Sequence, residues 1–205
     1  MSSRARLGIL VSGRGSNMEA LASAVAAGVI QAEVALVLSN VAGVVALDRA
    51  AARGLEARVI EHRGMARERH EALVAAALDE AGVTHVCLAG YMRVLTPSFV
   101  RPRLGTILNV HPSLLPAFPG VDAQAQAIRA GVKLAGCTVH FVDDTLDHGP
   151  IIAQEAVVVR PDDTAETLSL RILSAEHRVY PDAVAQVVSG EVRLVGGRVV
   201  VDSGR

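Results

Sequence analysis

The fold is decided by the stretch LGILVSGRGSNMEALASAVAA, residues 7–27. Residues 7–12 form a short apolar run, and residues 17–27 form an Ala-rich segment of the kind that favours a helix. A glycine-rich turn separates the two. An apolar run, a turn and a helical segment in this order are typical of the first strand and helix of a βαβ unit.

The same alternation continues along the chain. Strand-like runs lie at 33–39, 57–60, 85–89 and 106–111, and Ala-rich helical runs lie at 42–53 and 66–81. The runs 85–89 and 106–111 are apolar almost throughout, as expected of strands that are covered on both faces. We therefore predict an α/β fold with a Rossmann-like, mostly parallel twisted sheet and helices on both faces.

The pattern changes after about residue 115. A Pro-rich loop is followed by a helical run at 122–130 and by strand-like runs at 136–142 and 150–159. These predict a mixed or antiparallel C-terminal part that completes the sheet. We expect a single domain over residues 1–205, with halves at about 1–110 and 111–205.

Local signals predict the last elements. Asp163 and Glu166 have capping-box spacing and predict a helix from about Thr164. Pro181 is expected to kink or end that helix, because proline lacks the N–H that a helix interior uses. Residues 192–201 predict a hairpin that turns at two glycines.

Composition narrows the classes of function. The chain has 20 basic and 21 acidic residues, so it has no overall positive field for a nucleic-acid backbone. No apolar run approaches the ~18 residues of a spanning helix or the layout of a signal peptide. Cys87 and Cys137 lack metal-like or disulfide spacing, which favours a reducing compartment. We expect a cytoplasmic monomer or homodimer that binds small molecules, but neither nucleic acid nor membrane.

The loop SGRGSN, residues 12–17, is a candidate phosphate site, because helix amides after a glycine turn attract anions. A dinucleotide fits less well. In the dinucleotide-binding fingerprint a third glycine would stand where this chain has Met18. The second strand also ends in Ser39-Asn40, without the acidic residue that binds a ribose. The loop favours a mononucleotide or sugar phosphate. The alternative is a plain glycine turn in which Ser16 or Asn17 caps the helix.

Asn109 and His111 are candidate catalytic residues, since alternation places both on one face of a strand that stops at Pro112. Carboxyl ends of strands in open α/β sheets are where ligands bind. Asn can donate to an oxyanion, and His titrates near neutrality. Asp147, in a later acidic loop, could hold the imidazole. Alternatively, the histidine is merely packed and the acids face water.

A metal site is disfavoured by spacing. His111, His140, His148 and Asp147 contain no compact ligand pair. We therefore expect no metal.

Four motifs together resemble the phosphoribosylglycinamide formyltransferase family, the folate-dependent enzymes of purine synthesis. They are SGRGSN (12–17), LAGYMRVL (88–95), NVHPSLLP (109–116) and HFVDDTLDHGPII (140–152). Other formyltransferases and deformylases share the Asn, His and Asp, but the loop ending in Ser-Asn resembles the glycinamide ribonucleotide enzymes. Methionyl-tRNA formyltransferases and formyltetrahydrofolate deformylases carry extra domains, which we do not expect in 205 residues.

The resemblance implies transfer of the formyl group of 10-formyltetrahydrofolate, as co-substrate, to the amine of glycinamide ribonucleotide. It implies that Asn109, His111 and Asp147 are catalytic. It assigns the binding of the phosphoribosyl substrate to Gly15, Ser16, Asn17 and Glu176. It assigns the folate pocket to Arg67, Met92, Arg93, Val94, Leu95, Asn109, Asp143, Asp144, Thr145, Leu146 and Asp147.

Two other functions stay open at this point. The same trio could hydrolyse 10-formyltetrahydrofolate with water as the nucleophile. A nucleotide-binding regulatory module without catalysis would bind phosphate ligands but leave the trio without a role.

Two residues depart from the family pattern. Asp122 stands where the family often has His, and His148 stands where it commonly has Gly. If Asp122 approaches Asp147, the like charges would raise the pKa of at least one carboxyl. His148 is then a candidate to compensate.

Overall fold

The computed structural model describes residues 4–202. It contains nine strands and six α-helices within that range. The strands are β1 (Ala5–Val11), β2 (Ala32–Ser39), β3 (Ala57–Val59), β4 (His85–Leu88), β5 (Ile107–His111), β6 (Leu134–Phe141), β7 (Ile151–Val158), β8 (Val192–Val195) and β9 (Arg198–Val201). The helices are α1 (Ser16–Ala26), α2 (Val45–Ala52), α3 (Arg67–Glu80), α4 (Pro97–Val100), α5 (Ala123–Ala130) and α6 (Ala165–Ser189).

Seven strands form one sheet in the order β3-β2-β1-β4-β5-β6-β7. The first five are mutually parallel, and β6 and β7 run antiparallel to their neighbours. The predicted fold class, including its antiparallel C-terminal part, is confirmed. The strand order reverses between β1 and β4, and such a switch point is where open α/β sheets bind ligands.

The core lies on both faces of the sheet, as the apolar strands predicted. Along β1, Ile9 packs into a cluster with residues of α1 and α6, whereas Leu10 packs into a second cluster with residues of α3 and α4. Successive side chains of a strand point to opposite faces, so one apolar strand supplies both clusters.

The start of α6 differs from the prediction. The N-cap is Thr164, whose side chain accepts from Thr167 N in a capping box with Thr167. Asp163 does not serve as the cap, because its carboxylate is engaged by Arg171 and by Arg160 N. The Arg171 hydrogen bonds hold the pKa of Asp163 well below its usual range.

The end of α6 also differs. The helix does not stop at Pro181 but continues to Ser189. Pro181 and its neighbour Tyr180 are buried, and the Tyr180 hydroxyl contacts the carbonyl oxygens of Leu88 and Leu108 at 3.1 Å each. Packing against the sheet therefore outweighs the cost of proline in a helix interior, which is about 3 kcal/mol. The same contacts fix α6 against the ends of β4 and β5.

Other predictions concern short elements. The hairpin β8-β9 is confirmed, and both turn glycines, Gly196 and Gly197, have left-handed φ values as a two-residue turn requires. The helix α4 was not predicted. Cys87 and Cys137 are free and buried, and burial raises the pKa of each thiol to about 12. Within residues 4–202, no helix has the length and apolar character needed to span a membrane.

Candidate active site

A cavity of about 460 Å³ opens at the switch point between β1 and β4. The loop after β1 forms one wall, and the segments that follow β4 and β5 form another. The loop between β6 and β7 and one side of α6 complete it. The carboxyl ends of three parallel strands thus meet a single cavity.

His111 and Asp147 form a buried pair in this cavity. His111 Nδ1 lies 3.4 Å from Asp147 Oδ2, with both side chains less than a tenth exposed. His111 Nε2 lies 2.9 Å from the carbonyl oxygen of Phe118. A carbonyl only accepts, so Nε2 carries a hydrogen. Nδ1 can therefore donate to Asp147 only when the imidazole is protonated.

Asp147 is held by the backbone as well as by His111. Its Oδ2 accepts a hydrogen bond of 2.7 Å from Gly120 N, which fixes the carboxylate beside the imidazole. His148 does not support it: His148 Nδ1 lies 3.2 Å from Asp143 Oδ2 instead. The proposed compensation by His148 is therefore wrong in this geometry, because the side chain points along its own loop. Asp122 is exposed and borders the cavity.

Strained backbone is concentrated around this pair. Among the described residues other than glycine, positive φ values occur at Phe118 (55°), Asp122 (56°) and Asp147 (51°). Such conformations cost about 1–3 kcal/mol each and cluster at active sites, where the surrounding structure imposes them. The Phe118 carbonyl and the Asp147 carboxylate are the two groups that meet the His111 ring.

Asn109 projects into the same cavity from β5. Its Nδ2 lies 3.1 Å from His140 Nε2, and His140 Nδ1 lies 2.8 Å from the Phe141 carbonyl oxygen. His140 is buried, and desolvation lowers its pKa. Asn109 and His111 share a strand face, as predicted, and both border the cavity.

Asn17 and Glu176 meet on the opposite side of the cavity. Asn17 Nδ2 donates a 2.7 Å hydrogen bond to Glu176 Oε2, and both side chains are buried. Burial raises the pKa of Glu176 to about 7, against the lowering effect of the Asn17 hydrogen bond. Asn17 Oδ1 is buried and has no hydrogen-bond partner in the described part of the chain.

The first helix begins without a side-chain cap. Its N-cap is Gly15, with a left-handed φ of 76°, and no side chain bonds the first-turn amides. The alternative in which Ser16 or Asn17 caps α1 is therefore wrong. The uncapped amides are left available to an anion.

Most of the residues assigned by resemblance meet at this cavity. The lining includes Asn17, Met92, Arg93, Val94, Leu95, Asn109, His111, Asp143, Asp144, Thr145, Leu146, Asp147 and Glu176. Gly15 and Ser16 form the adjacent helix start but do not line it. Arg67 is exposed at the first turn of α3, outside the lining. Their assigned roles stay predictions.

Several lining residues were missed from sequence. Arg14 lies in the phosphate loop itself. Ser169 and Leu173 precede Glu176 on α6 at helical spacing, so the signal for them was one face of the predicted helix. His140 was considered only as a metal ligand. Its place beside Asn109 depends on strand register. No group of three or more metal-ligating side chains occurs among residues 4–202.

Comparisons with known proteins identify the family. Residues 5–184 match the formyl transferase family. The trifunctional purine biosynthetic protein adenosine-3 of Drosophila pseudoobscura pseudoobscura is 47% identical over 195 residues, which cover 94% of this chain. The chain spans only 14% of that relative's length.

Two other proteins match over most of their own length. The phosphoribosylglycinamide formyltransferase of Bacillus subtilis is 39% identical, covering 89% of this chain and 94% of that protein. The solved structure of glycinamide ribonucleotide transformylase 1 from Symbiobacterium toebii superposes with a TM-score of 0.95 at 44% identity, covering 98% and 95% of the two chains. The chain belongs to the formyl transferase family.

Proposed function

We propose that this protein transfers the formyl group of 10-formyltetrahydrofolate to the amine of glycinamide ribonucleotide, a step of purine biosynthesis. The observation that carries the proposal is the convergence on one cavity of Asn109, His111 and Asp147 with Asn17 and Glu176. The relatives from Bacillus subtilis and Symbiobacterium toebii, which bear the name of this activity, support the choice of acceptor.

The nucleotide would bind on the β1 side. Its phosphate would lie at the uncapped start of α1. The backbone amides of Gly15 and Ser16 would bind it, and Arg14 would add positive charge. Asn17 Oδ1, buried and unpartnered, and the Glu176 carboxyl would take the ribose hydroxyl groups. Orphaned buried acceptors are costly, so a ligand donor there is favoured.

The folate would bind on the side of β4 and of the acidic loop. Met92, Val94 and Leu146 are exposed apolar side chains that line the cavity, a fitting surface for flat aromatic rings. Arg93, and less directly Arg67, would face the glutamate carboxylates. Met92 N is fixed by a 2.8 Å hydrogen bond to Ser12 Oγ, which ties this wall to the phosphate loop.

The reaction would be a direct acyl transfer. The neutral amine attacks the formyl carbon, forms a new N–C bond and gives a tetrahedral oxyanion, which collapses as the bond to N10 breaks. Asn109 Nδ2 has a second hydrogen that is not used by His140 and would donate it to the oxyanion. Protonated His111 would add positive charge. Held between the Phe118 carbonyl and Asp147, the imidazolium would act on the oxyanion through its charge.

The proton must move from the attacking amine to N10. The Asp147 carboxylate, fixed by Gly120 N, would accept it through a water and return it to the leaving nitrogen. No covalent enzyme intermediate is required. The proposal needs no metal, and places the protein in the cytoplasm as a monomer or homodimer that acts on small molecules.

The test is the dependence of folate product formation on added glycinamide ribonucleotide, followed spectrophotometrically. We expect turnover with the nucleotide and little release of formate without it. Formate release at the same rate with and without the nucleotide would identify a hydrolase instead. Nucleotide binding without folate turnover would identify a binding module.

A further inference from the structure

Asn109 and His140 are direct cross-strand partners. They face each other in the antiparallel register of β5 and β6, and their side chains meet at 3.1 Å between Asn109 Nδ2 and His140 Nε2. On the other side of β6 the register with β7 shifts between Val139 and His140. Bulges of this kind re-aim side chains next to active sites. The sheet itself therefore directs His140 at Asn109.

The hydrogen bonds of His140 define the orientation of the Asn109 amide. His140 Nδ1 must carry a hydrogen, because the Phe141 carbonyl at 2.8 Å only accepts. In the neutral ring Nε2 is then an acceptor, and only the NH₂ group of Asn109 can satisfy it. The contact with His140 therefore identifies which end of the Asn109 side-chain amide is the nitrogen and which is the oxygen. The second N–H of Asn109 keeps a fixed direction.

We propose that His140 is a positioning residue, which holds the Asn109 amide so that its remaining N–H is aimed at the developing oxyanion. The inference rests on the proposed function and deepens it, since it says how the donor is oriented. A free amide could rotate by half a turn and place its oxygen there, where it would repel the oxyanion. Preorganised donors are worth more than mobile ones.

Burial strengthens this role. His140 is 2% exposed, and desolvation keeps the ring neutral against the raising effects of Phe141 O, Asp147 and Asp143. The charged His111 nearby acts in the same direction as desolvation. The ring thus stays in the form whose Nε2 accepts from Asn109.

Two variants of His140 distinguish a role in positioning Asn109 from a role in filling space. His140→Gln keeps an acceptor near Nε2, whereas His140→Leu fills much of the volume without one. We expect His140→Leu to lower kcat on the order of 10-fold to 100-fold, because small misplacements of a catalytic group have effects of that size. KM for glycinamide ribonucleotide should stay within about twofold, and His140→Gln should recover most of kcat. Equal losses in both variants would overturn the inference.

A double-mutant cycle gives the sharper readout. Asn109→Ala should lower kcat on the order of 100-fold or more. If His140 acts through Asn109, adding His140→Leu to that variant should change kcat by no more than about twofold. A double variant whose loss of kcat equals the product of the losses in the two single variants would overturn the inference. His85→Gln, at the opposite end of β4 and outside the cavity lining, is the matched histidine control and should leave kcat unchanged.

The two proposals fail in different ways. Wild-type protein without turnover that depends on glycinamide ribonucleotide would overturn the proposed function. If wild type is active but the kcat losses of the two single variants multiply in the double variant, the proposed function stands and only the role of His140 is overturned. Melting temperatures of all variants identify any that do not fold, and if His140→Leu is one of them, His140→Val, which also removes the acceptor, takes its place in the cycle.

Discussion

His111 Nδ1 lies 3.4 Å from Asp147 Oδ2, while the opposite ring nitrogen is bonded to the Phe118 carbonyl. The pair is buried, and the backbone of Asp147 is left-handed, with a φ of 51°. Because Nε2–H is committed to Phe118, the Asp147 contact is attractive only for the imidazolium. His111 lies on the same strand face as Asn109, so a charged imidazole there would act on the same oxyanion.

The first prediction concerns this pair. His111→Ala should lower kcat on the order of 100-fold or more, because it removes the charge next to the oxyanion. Asp147→Asn should lower kcat on a similar scale, since a neutral amide neither holds the imidazolium nor takes the proton. Steady-state kinetics with both substrates measure these effects. Near-normal turnover of either variant would remove that residue from the mechanism.

The second prediction concerns Asp122, which borders the cavity. Asp122→His removes a negative charge from the border of the cavity that holds the His111–Asp147 pair. Charges in one cavity interact, so we expect the kcat pH profile of the variant to differ from that of wild type. Asp182→His, on an exposed position of α6, is the control. Superimposable profiles for wild type and Asp122→His would show that Asp122 does not act on the pair.

The third prediction concerns Glu176, whose pKa burial raises to about 7. A carboxyl whose pKa is higher in the folded than in the unfolded state favours folding when protonated. That stability is present below about pH 4.5 and is lost as the pH rises to about 7. Glu176→Gln should escape this loss, which is on the order of 3 kcal/mol.

Chemical denaturation at pH 4.5 and at pH 8 measures the effect. The variant should be more stable than wild type at pH 8 and about equal to it at pH 4.5. In kinetics it should raise KM for glycinamide ribonucleotide more than it lowers kcat, since Glu176 is assigned to the ribose. A stability difference that does not change with pH would contradict the raised pKa.

The fourth prediction concerns Gly15, the N-cap of α1. A Cβ at this residue would lie 2.6 Å from Ala46 Cβ, and its φ of 76° lies in the left-handed region that favours glycine. Gly15→Ala should therefore destabilise the fold by about 1–3 kcal/mol and disturb the start of α1. Gly13→Ala is the matched control, because no atom lies within 4 Å of its Cβ position. Equal unfolding midpoints for the two variants would contradict this account of the loop.

Short-range patterns predicted the sheet and the pairing of Asn109 with His111, whereas most other site residues were assigned by the family resemblance. Alternation along residues 107–111 places Asn109 and His111 on one face, and a strand end next to Pro112 marks a binding edge. The contact of His140 with Asn109 was beyond reach, since it depends on the register between β5 and β6. The cap at Thr164 was missed because tertiary contacts of Asp163 decide it. The continuation of α6 past Pro181 was missed because tertiary contacts of Tyr180 decide it.

The measurement that tests the central claim most directly follows the formyl carbon itself. The enzyme is given 10-formyltetrahydrofolate labelled in the formyl carbon, together with glycinamide ribonucleotide, and the labelled products are separated. We expect one labelled formylglycinamide ribonucleotide for each tetrahydrofolate formed, and we expect Asn109→Ala and His111→Ala to abolish formation of the labelled product. Label recovered as formate, at a rate that does not depend on the nucleotide, would contradict this expectation.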